Sequence, residues 1–478
     1  MSNTGEAARG GRWLSPALLV AEVAAAIGLM LAYRSSGKSG GMEFLLSRPG
    51  LLCLGMGGVL LLALGLVVQQ IRQGLAGKDR QWILALAMNA VLVMAVLVGG
   101  ELVVRMLAVE TNTEARIGGR LLYPRQWLLT ADRFQRILTR AKSQQPFWVA
   151  DPELGWTVGA NRESADGLYR STVQGIRAAQ VGQTVGEAVQ GCRVAFVGDS
   201  FTFGEEVRYE DAWVSLLEKR MEHRCQVLNF AVGGYGIDQM YLRYLRDVRP
   251  WKPTAVVLSF VNHDVVRSMS VYSFLMFPGG ETPFAKPRFV VRHGELVQLN
   301  RPLVTPEQLF QFRAIKELPF IEHDANYKWT EWDQAGWGWL GHSYFLRLLV
   351  SAYPLHEPER QEIADERMEE VNAALFRRFL TAVEEDGASS RIVYLPSIDE
   401  VPERPSWVPV GTKILTDAKL PHVNIRDCMA AGFGEQMFMP PGHGQHYAPE
   451  GNRVAAKCLA PVVESLIERR LPLARGVQ

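Results

Sequence analysis

Ser200 stands in Gly198-Asp199-Ser200, directly after the apolar run Arg193-Val-Ala-Phe-Val197, and His446 stands far downstream, just ahead of the last helical stretch. A serine hydroxyl is a poor nucleophile until a nearby base takes its proton, and an imidazole is suited to that task near neutral pH. Attack on an acyl carbon then needs fixed donors for the oxyanion. The main-chain N–H groups of Ser200 and of Gly234, in Gly233-Gly234-Tyr235-Gly236, are the candidates. Glycine at 234 lets an acyl oxygen approach the backbone, and loss of one such donor typically costs about 100- to 1,000-fold in rate. A third donor is sought in Asn262-His263-Asp264, from Asn262 or from His263. His443 and His446 lie three residues apart with no cysteine or carboxylate array beside them, which argues against a metal site. No metal or organic cofactor is implied.

These groups must be brought together by the elements that carry them. From Arg193 the chain alternates short apolar runs with helical periodicity. The expected strands are 193–197, 227–231, 255–260, 390–395 and 422–425. Helices are expected over 211–222, 238–247, 366–385 and 449–470. Apolar strands alternating with helices predict an α/β domain, a parallel sheet covered on both faces. In that architecture ligands bind at the carboxyl ends of the strands, where the Gly-Asp-Ser, Gly-Gly-Tyr-Gly and Asn-His-Asp segments all fall.

Gly198-Asp-Ser-Phe-Thr-Phe-Gly204 resembles the first block of the SGNH (GDSL-type) hydrolases, and Asn229-Phe-Ala-Val-Gly-Gly234 is similar to their second. His446-Tyr-Ala-Pro-Glu-Gly-Asn452 resembles the block that carries their catalytic histidine. Asp151-Pro-Glu-Leu-Gly-Trp156 is similar to the lead-in of membrane-anchored bacterial members. The resemblance covers roughly residues 150–470. It implies a three-layer, flavodoxin-like domain and an ester hydrolase or O-acyltransferase with Ser200 as nucleophile, His446 as base, and Gly234 with Asn262 or His263 at the oxyanion. Two positions depart from it. The family's Asn directly before Asp is replaced by His263, with Asn262 one place earlier. On a strand, one residue of slip turns a side chain to the other face. The Asp usually found three residues before the histidine is replaced by His443, which leaves a backbone carbonyl or another carboxylate, Glu435 being the nearest upstream, to orient the ring. The rival reading is a decayed domain of this type, serving as a binding or assembly subunit of a membrane complex.

Composition divides the chain. Of 51 Lys/Arg and 50 Asp/Glu, residues 1–110 hold only 9 and 6. The net charge of +1 excludes a nucleic-acid-binding surface. Apolar stretches at about 13–33, 51–71 and 82–107 are each long enough to cross a bilayer as a helix. A cleaved signal peptide is the competing reading of the first. Arg9, Arg12, Arg72, Lys78 and Arg80 against Arg34, Lys38 and Arg48 favour a cytoplasmic N-terminus, which puts everything after residue 110 in the periplasm of a Gram-negative cell. Within the expected third span, Glu101 and Arg105 read as an i,i+4 pair. Residues 111–190 form a connector and lead-in, and 191–478 the α/β domain with an insertion at 265–365. That insertion carries an expected edge hairpin (289–299) and an aromatic stretch, Trp329, Trp332, Trp337, Trp339 and Tyr344, which is either core or a platform for sugar rings. Cys192 and Cys225 precede neighbouring strands and are either a disulfide or two free thiols. The expected substrate is an acylated glycan or lipid of the cell envelope, with a membrane protein as a further partner.

Overall fold

A computed structural model describes residues 65, 81–110, 115–118, 120–123, 146–189, 191–277, 283–309, 311–312, 317–327, 338–352, 363–401, 408–432, 434–440 and 444–470. The chain forms two compact units, Met1–Thr130 with Trp329–Glu359, and Ala131–Lys328 with Arg360–Gln478. The lead-in thus belongs to the α/β unit, and the aromatic stretch of the insertion to the other.

The larger unit is built on five strands, β1 (Arg193–Gly198), β2 (Gln226–Asn229), β3 (Ala255–Phe260), β4 (Ser389–Tyr394) and β5 (His422–Asn424). All pair in parallel, in the order β5-β4-β3-β1-β2. Read from the other edge this is 2-1-3-4-5, the flavodoxin-like order, whose switch point lies between β1 and β3. The helices that matter here are α1 (Ser200–Phe203), α2 (Trp213–Met221), α3 (Ile237–Arg243), α4 (Asn262–Arg267), α5 (Ile363–Glu385) and α6 (Pro449–Glu468).

Strand alternation sorts the core into two layers. Val194, Phe196, Val227, Val257 and Val393 face Trp213, Leu217 and Met221 of α2 and Leu459, Val463 and Leu466 of α6. Ala195, Val197, Leu228, Val256, Leu258 and Ile392 face Met240 of α3 and Leu375, Phe376 and Phe379 of α5. Because each strand is covered on both sides, its sequence is a continuous apolar run. Each such aliphatic or aromatic side chain contributes about 1.5–3 kcal/mol on burial.

Two strand ends bear on the site. β2 stops at Asn229, because the Asn229 carboxamide accepts from Ala231 N–H at 3.1 Å and turns the chain. After Phe260 the chain does not continue extended through Asn262 and His263. Asp264 Oδ2 accepts from Val261 N–H at 2.9 Å and starts α4 at Asn262. Successive residues there are spaced around a helix, so the opposite-face argument for His263 and Asn262 does not apply.

Cys192 and Cys225 are joined just ahead of β1 and β2, with Cα atoms 4.6 Å apart. A second disulfide, Cys428–Cys458, ties the helix Arg426–Ala430 to α6. The 33-residue separation of the first corresponds to about 3–4 kcal/mol of stabilisation by chain entropy. The insertion's hairpin is present, as Phe289–Arg292 paired with Glu295–Gln298. His293 and Gly294, with φ of 53° and 80°, make the two-residue turn that suits strand twist. It is a sheet of its own rather than an edge of the five-stranded one. A fully buried Lys286–Asp238 ion pair links the insertion to α3.

In the smaller unit, helix Gln81–Leu107 has 27 residues and covers the third expected span. Its described side chains begin at Ala87, and among them Val91, Met94, Leu97, Val98, Leu102, Val103, Met106 and Leu107 are exposed. Counting the described residues only, no helix is long and apolar enough to cross a membrane. The expected spans at 13–33 and 51–71 lie outside the described residues, residue 65 excepted. Glu101 does pair with Arg105, at 2.6 Å. It also accepts from the N–H groups of Tyr344 (3.0 Å) and Phe345 (2.9 Å), capping the helix Tyr344–Ala352. Tyr344 is buried in this contact, while Trp329, Trp332 and Trp337 and the side chain of Trp339 lie outside the described residues.

Candidate active site

The geometry begins where β1 meets α1. A side chain at Gly198 would run into Thr202 and the Ser259 carbonyl, so glycine is what lets the strand turn this sharply. Asp199 caps α1, its Oδ1 accepting from Phe201 N–H at 3.0 Å. Ser200 is the first residue of that helix, and its Oγ donates to Asp199 Oδ2 at 3.4 Å. Asp199 is therefore a structural anchor. It shares Arg267 with Asp264, at 3.3 and 2.6 Å. Burial and the neighbouring Asp199 push the Asp264 carboxyl well above the usual range, with Arg267 opposing them.

The oxyanion loop is braced from two directions. Asn229 Nδ2 donates to Thr202 O at 2.9 Å, tying β2 to α1. On the other side Trp156 Nε1 donates to Gly233 O (2.9 Å), Tyr235 Oη to Trp156 O (2.6 Å) and Gln239 Nε2 to Leu154 O (2.8 Å). The Asp151–Trp156 lead-in thus buttresses the loop. Gly234 has φ of +77°, and a Cβ there would sit 3.1 Å from the Phe277 ring. Neither Ser200 N–H nor Gly234 N–H has a hydrogen-bond partner among the described residues, so both main-chain donors are free for an oxyanion.

Of the two candidates for the third donor, Asn262 has its Oδ1 held by Gly411 N–H at 3.1 Å, a contact that uses the acceptor end of the amide and not the Nδ2 donor. His263 is exposed at the start of α4. Surrounding protein and the Arg267 charge lower its pKa, favouring the neutral ring that keeps one N–H to donate. Neither side chain hydrogen-bonds Ser200 among the described residues.

His446 packs its ring on Phe201, the residue after Ser200, with centroids 5.0 Å apart. Its Nδ1 meets Glu206 Oε2 at 2.8 Å, and Glu206 Oε1 accepts from Gly444 N–H, also at 2.8 Å. Burial opposes ionisation of Glu206, but the bonds from Gly444 and His446 outweigh it and hold the carboxyl below its usual range. A lasting carboxylate on Nδ1 fixes the tautomer that leaves Nε2 as the base. Glu206 has φ of +65°, an arrangement costing a non-glycine residue about 1–2 kcal/mol, and its N–H donates to Tyr169 Oη at 2.9 Å. Glu205 Oε2 lies 3.5 Å from His446 Nε2. No hydrogen bond joins Ser200 Oγ to His446 among the described residues.

The ring's carboxylate is therefore not in the segment just before the histidine. His443 lies outside the described residues, as does the side chain of Glu435. Glu206, six residues after the serine, was the residue that spacing alone overlooked. A cavity of about 340 Å³ lined by Met269, Arg288, Val291, His323, Arg367 and their neighbours contains none of these groups.

The fold is an α/β protein with the flavodoxin-like strand order, with Ser200 just after β1 and a carboxylate-held His446 packed on the neighbouring Phe201. Among solved structures the chain is similar to the crystal structure of TesA, at 13% identity over 57% of this chain and 99% of that one, with a TM-score of 0.30. It is also similar to a putative lipolytic protein of G-D-S-L family from Desulfitobacterium hafniense DCB-2 (13% identity, 56% and 98% of the two chains, TM-score 0.29). A third is the acetyl xylan esterase AlAXEase (14% identity, 57% and 99%, TM-score 0.29). No family model matches the chain, and no curated protein does. Likeness at this level leaves the activity to be read from the site itself.

Proposed function

We propose that the protein is a membrane-anchored, SGNH-type serine ester hydrolase or O-acyltransferase acting on acyl esters of a cell-envelope glycan or lipid. The observation that carries the reading is the carboxylate–imidazole pair: His446 Nδ1 on Glu206 at 2.8 Å, with the ring tilted against Phe201, the residue after Ser200. Ser200 Oγ attacks the ester carbonyl and its proton passes to His446 Nε2. The N–H groups of Ser200 and Gly234 hold the oxyanion, and the proton leaves with the alcohol. Acyl transfer to water or to a second hydroxyl completes the cycle. The anchor is supported by the apolar stretches of the first 110 residues and by the exposed apolar side chains of helix Gln81–Leu107. A periplasmic site is supported by two disulfides, which persist in oxidising compartments. A fluorophosphonate probe tests the enzyme: covalent labelling that disappears in Ser200→Ala is expected. Well-folded wild-type protein that resists the probe at every pH would instead point to the assembly subunit.

A further inference from the structure

Both ring nitrogens of His446 face a carboxylate, and only one of those contacts belongs to the serine mechanism. Nδ1 is taken by Glu206 at 2.8 Å. Nε2, the nitrogen that must receive the serine proton, faces Glu205 Oε2 at 3.5 Å. The two side chains are only 24% and 13% exposed for Glu205 and His446, so this is not a solvent-screened surface pair. The other end of the Glu205 carboxylate is pressed against Gly233 of the oxyanion loop, where a Cβ would collide with Oε1.

With Nδ1–H given to Glu206, Nε2 presents either a lone pair or an N–H. A lone pair facing an ionised carboxylate is repulsive, and the repulsion is removed by one proton, on nitrogen or on oxygen. We infer that Glu205 is a second proton-holding group on the catalytic imidazole, sharing one proton with Nε2 in the resting site and keeping His446 from acting as a base until that proton is released. The inference rests on the serine-hydrolase reading and adds a control on it. Before attack, the shared proton leaves the pair for solvent. Ser200 Oγ then bonds to the acyl carbon as its own proton moves to the vacated Nε2. When the bond from acyl carbon to alcohol oxygen breaks, that proton goes to the alcohol.

The charged surroundings of Glu205 act in both directions. Burial pushes its carboxyl up; His446 opposes this, Asp199 adds to it, Arg267 opposes and Glu206 adds. Among the described residues, Tyr169 and Arg177 also interact with Glu205. The Glu205 carboxyl is thus raised from its ordinary range, which favours a proton held between it and the ring.

The test uses the full-length chain and two readouts. Diethylpyrocarbonate modifies only unprotonated imidazole, so its rate at His446, mapped by mass spectrometry against pH, reports the ring's protonation without any need for activity. In Glu205→Gln the midpoint should fall by at least about one pH unit, the usual effect of an opposite charge at this range. Below both midpoints the rate of fluorophosphonate labelling at Ser200 should therefore rise about tenfold. Superimposable midpoints in wild type and Glu205→Gln overturn the inference. A shifted midpoint with no labelling in either protein overturns the hydrolase reading and leaves the shared proton standing.

Discussion

Replacing Glu206 by glutamine probes the site most directly, because the shape is kept and only the charge and one acceptor are lost. Glu206 receives Gly444 N–H on one oxygen and His446 Nδ1 on the other, each at 2.8 Å. Glutamine has a single oxygen. If that oxygen keeps the Gly444 bond, its NH₂ points at Nδ1 and selects the tautomer with the proton on Nε2, where the base should be. If it turns to serve Nδ1, the Gly444 N–H is stranded. Losing a hydrogen bond to a charged partner costs about 1.5–3 kcal/mol, or roughly 10- to 150-fold. The wrong tautomer in a serine triad costs about 10⁴-fold, near 5.4 kcal/mol. Glu206→Gln should therefore slow labelling by a fluorophosphonate, and turnover of p-nitrophenyl acetate, by about 100- to 10,000-fold. Thermal unfolding of the same sample checks that the fold is intact. A folded variant within about threefold of wild type would mean that Glu206 does not orient the base, and the assignment of the site would fall with it.

Two further outcomes are expected. Asp151 is held below its ordinary value of 3.8: burial opposes ionisation, but Arg246 and the N–H groups of Leu154 and Glu153 outweigh it. A carboxyl depressed on folding stabilises above its unfolded pKa and loses that contribution as pH falls through the folded one. Asp151→Asn should thus cost on the order of 2 kcal/mol at pH 7 and progressively less below pH 3.8, by urea midpoints across that range; a loss that does not change with pH would contradict the linkage. For the anchor, alkaline phosphatase joined after residue 110 should be active in a Gram-negative host, and an inactive fusion with a fluorescent cytoplasmic counterpart would reverse the proposed orientation.

Sequence alone reached the sheet well, because strands buried on both faces are unbroken apolar runs and their helices carry a clean period. Ser200, Gly234 and His446 could be singled out as candidates for a related reason: each sits at an element boundary, where the chain has to turn and few residue types will do. Glu206 was not legible. It lies 240 positions from the ring it holds, in a Glu-Glu pair that reads as solvated charge. The helical backbone at Asn262 and His263 was not legible because the cap formed by Asp264, which starts a helix, looks in sequence like more strand. Cys428 and Cys458 gave no signal since they sit on helices rather than at paired strand starts, and the Lys286–Asp238 pair joins an insertion to a helix that only folding brings close.

The brace formed by Trp156, Leu154 and Gln239 has a practical side. Leu154 and Trp156, the upstream half of that brace, precede the first sheet strand by some forty positions and would be discarded by any truncation placed at the visible start of the α/β pattern. Such a fragment could keep every sheet strand and still let the turn sag away from the serine. A soluble version intended for crystals or inhibitor screening should begin ahead of Phe147, whose ring packs against Trp148 and Phe203.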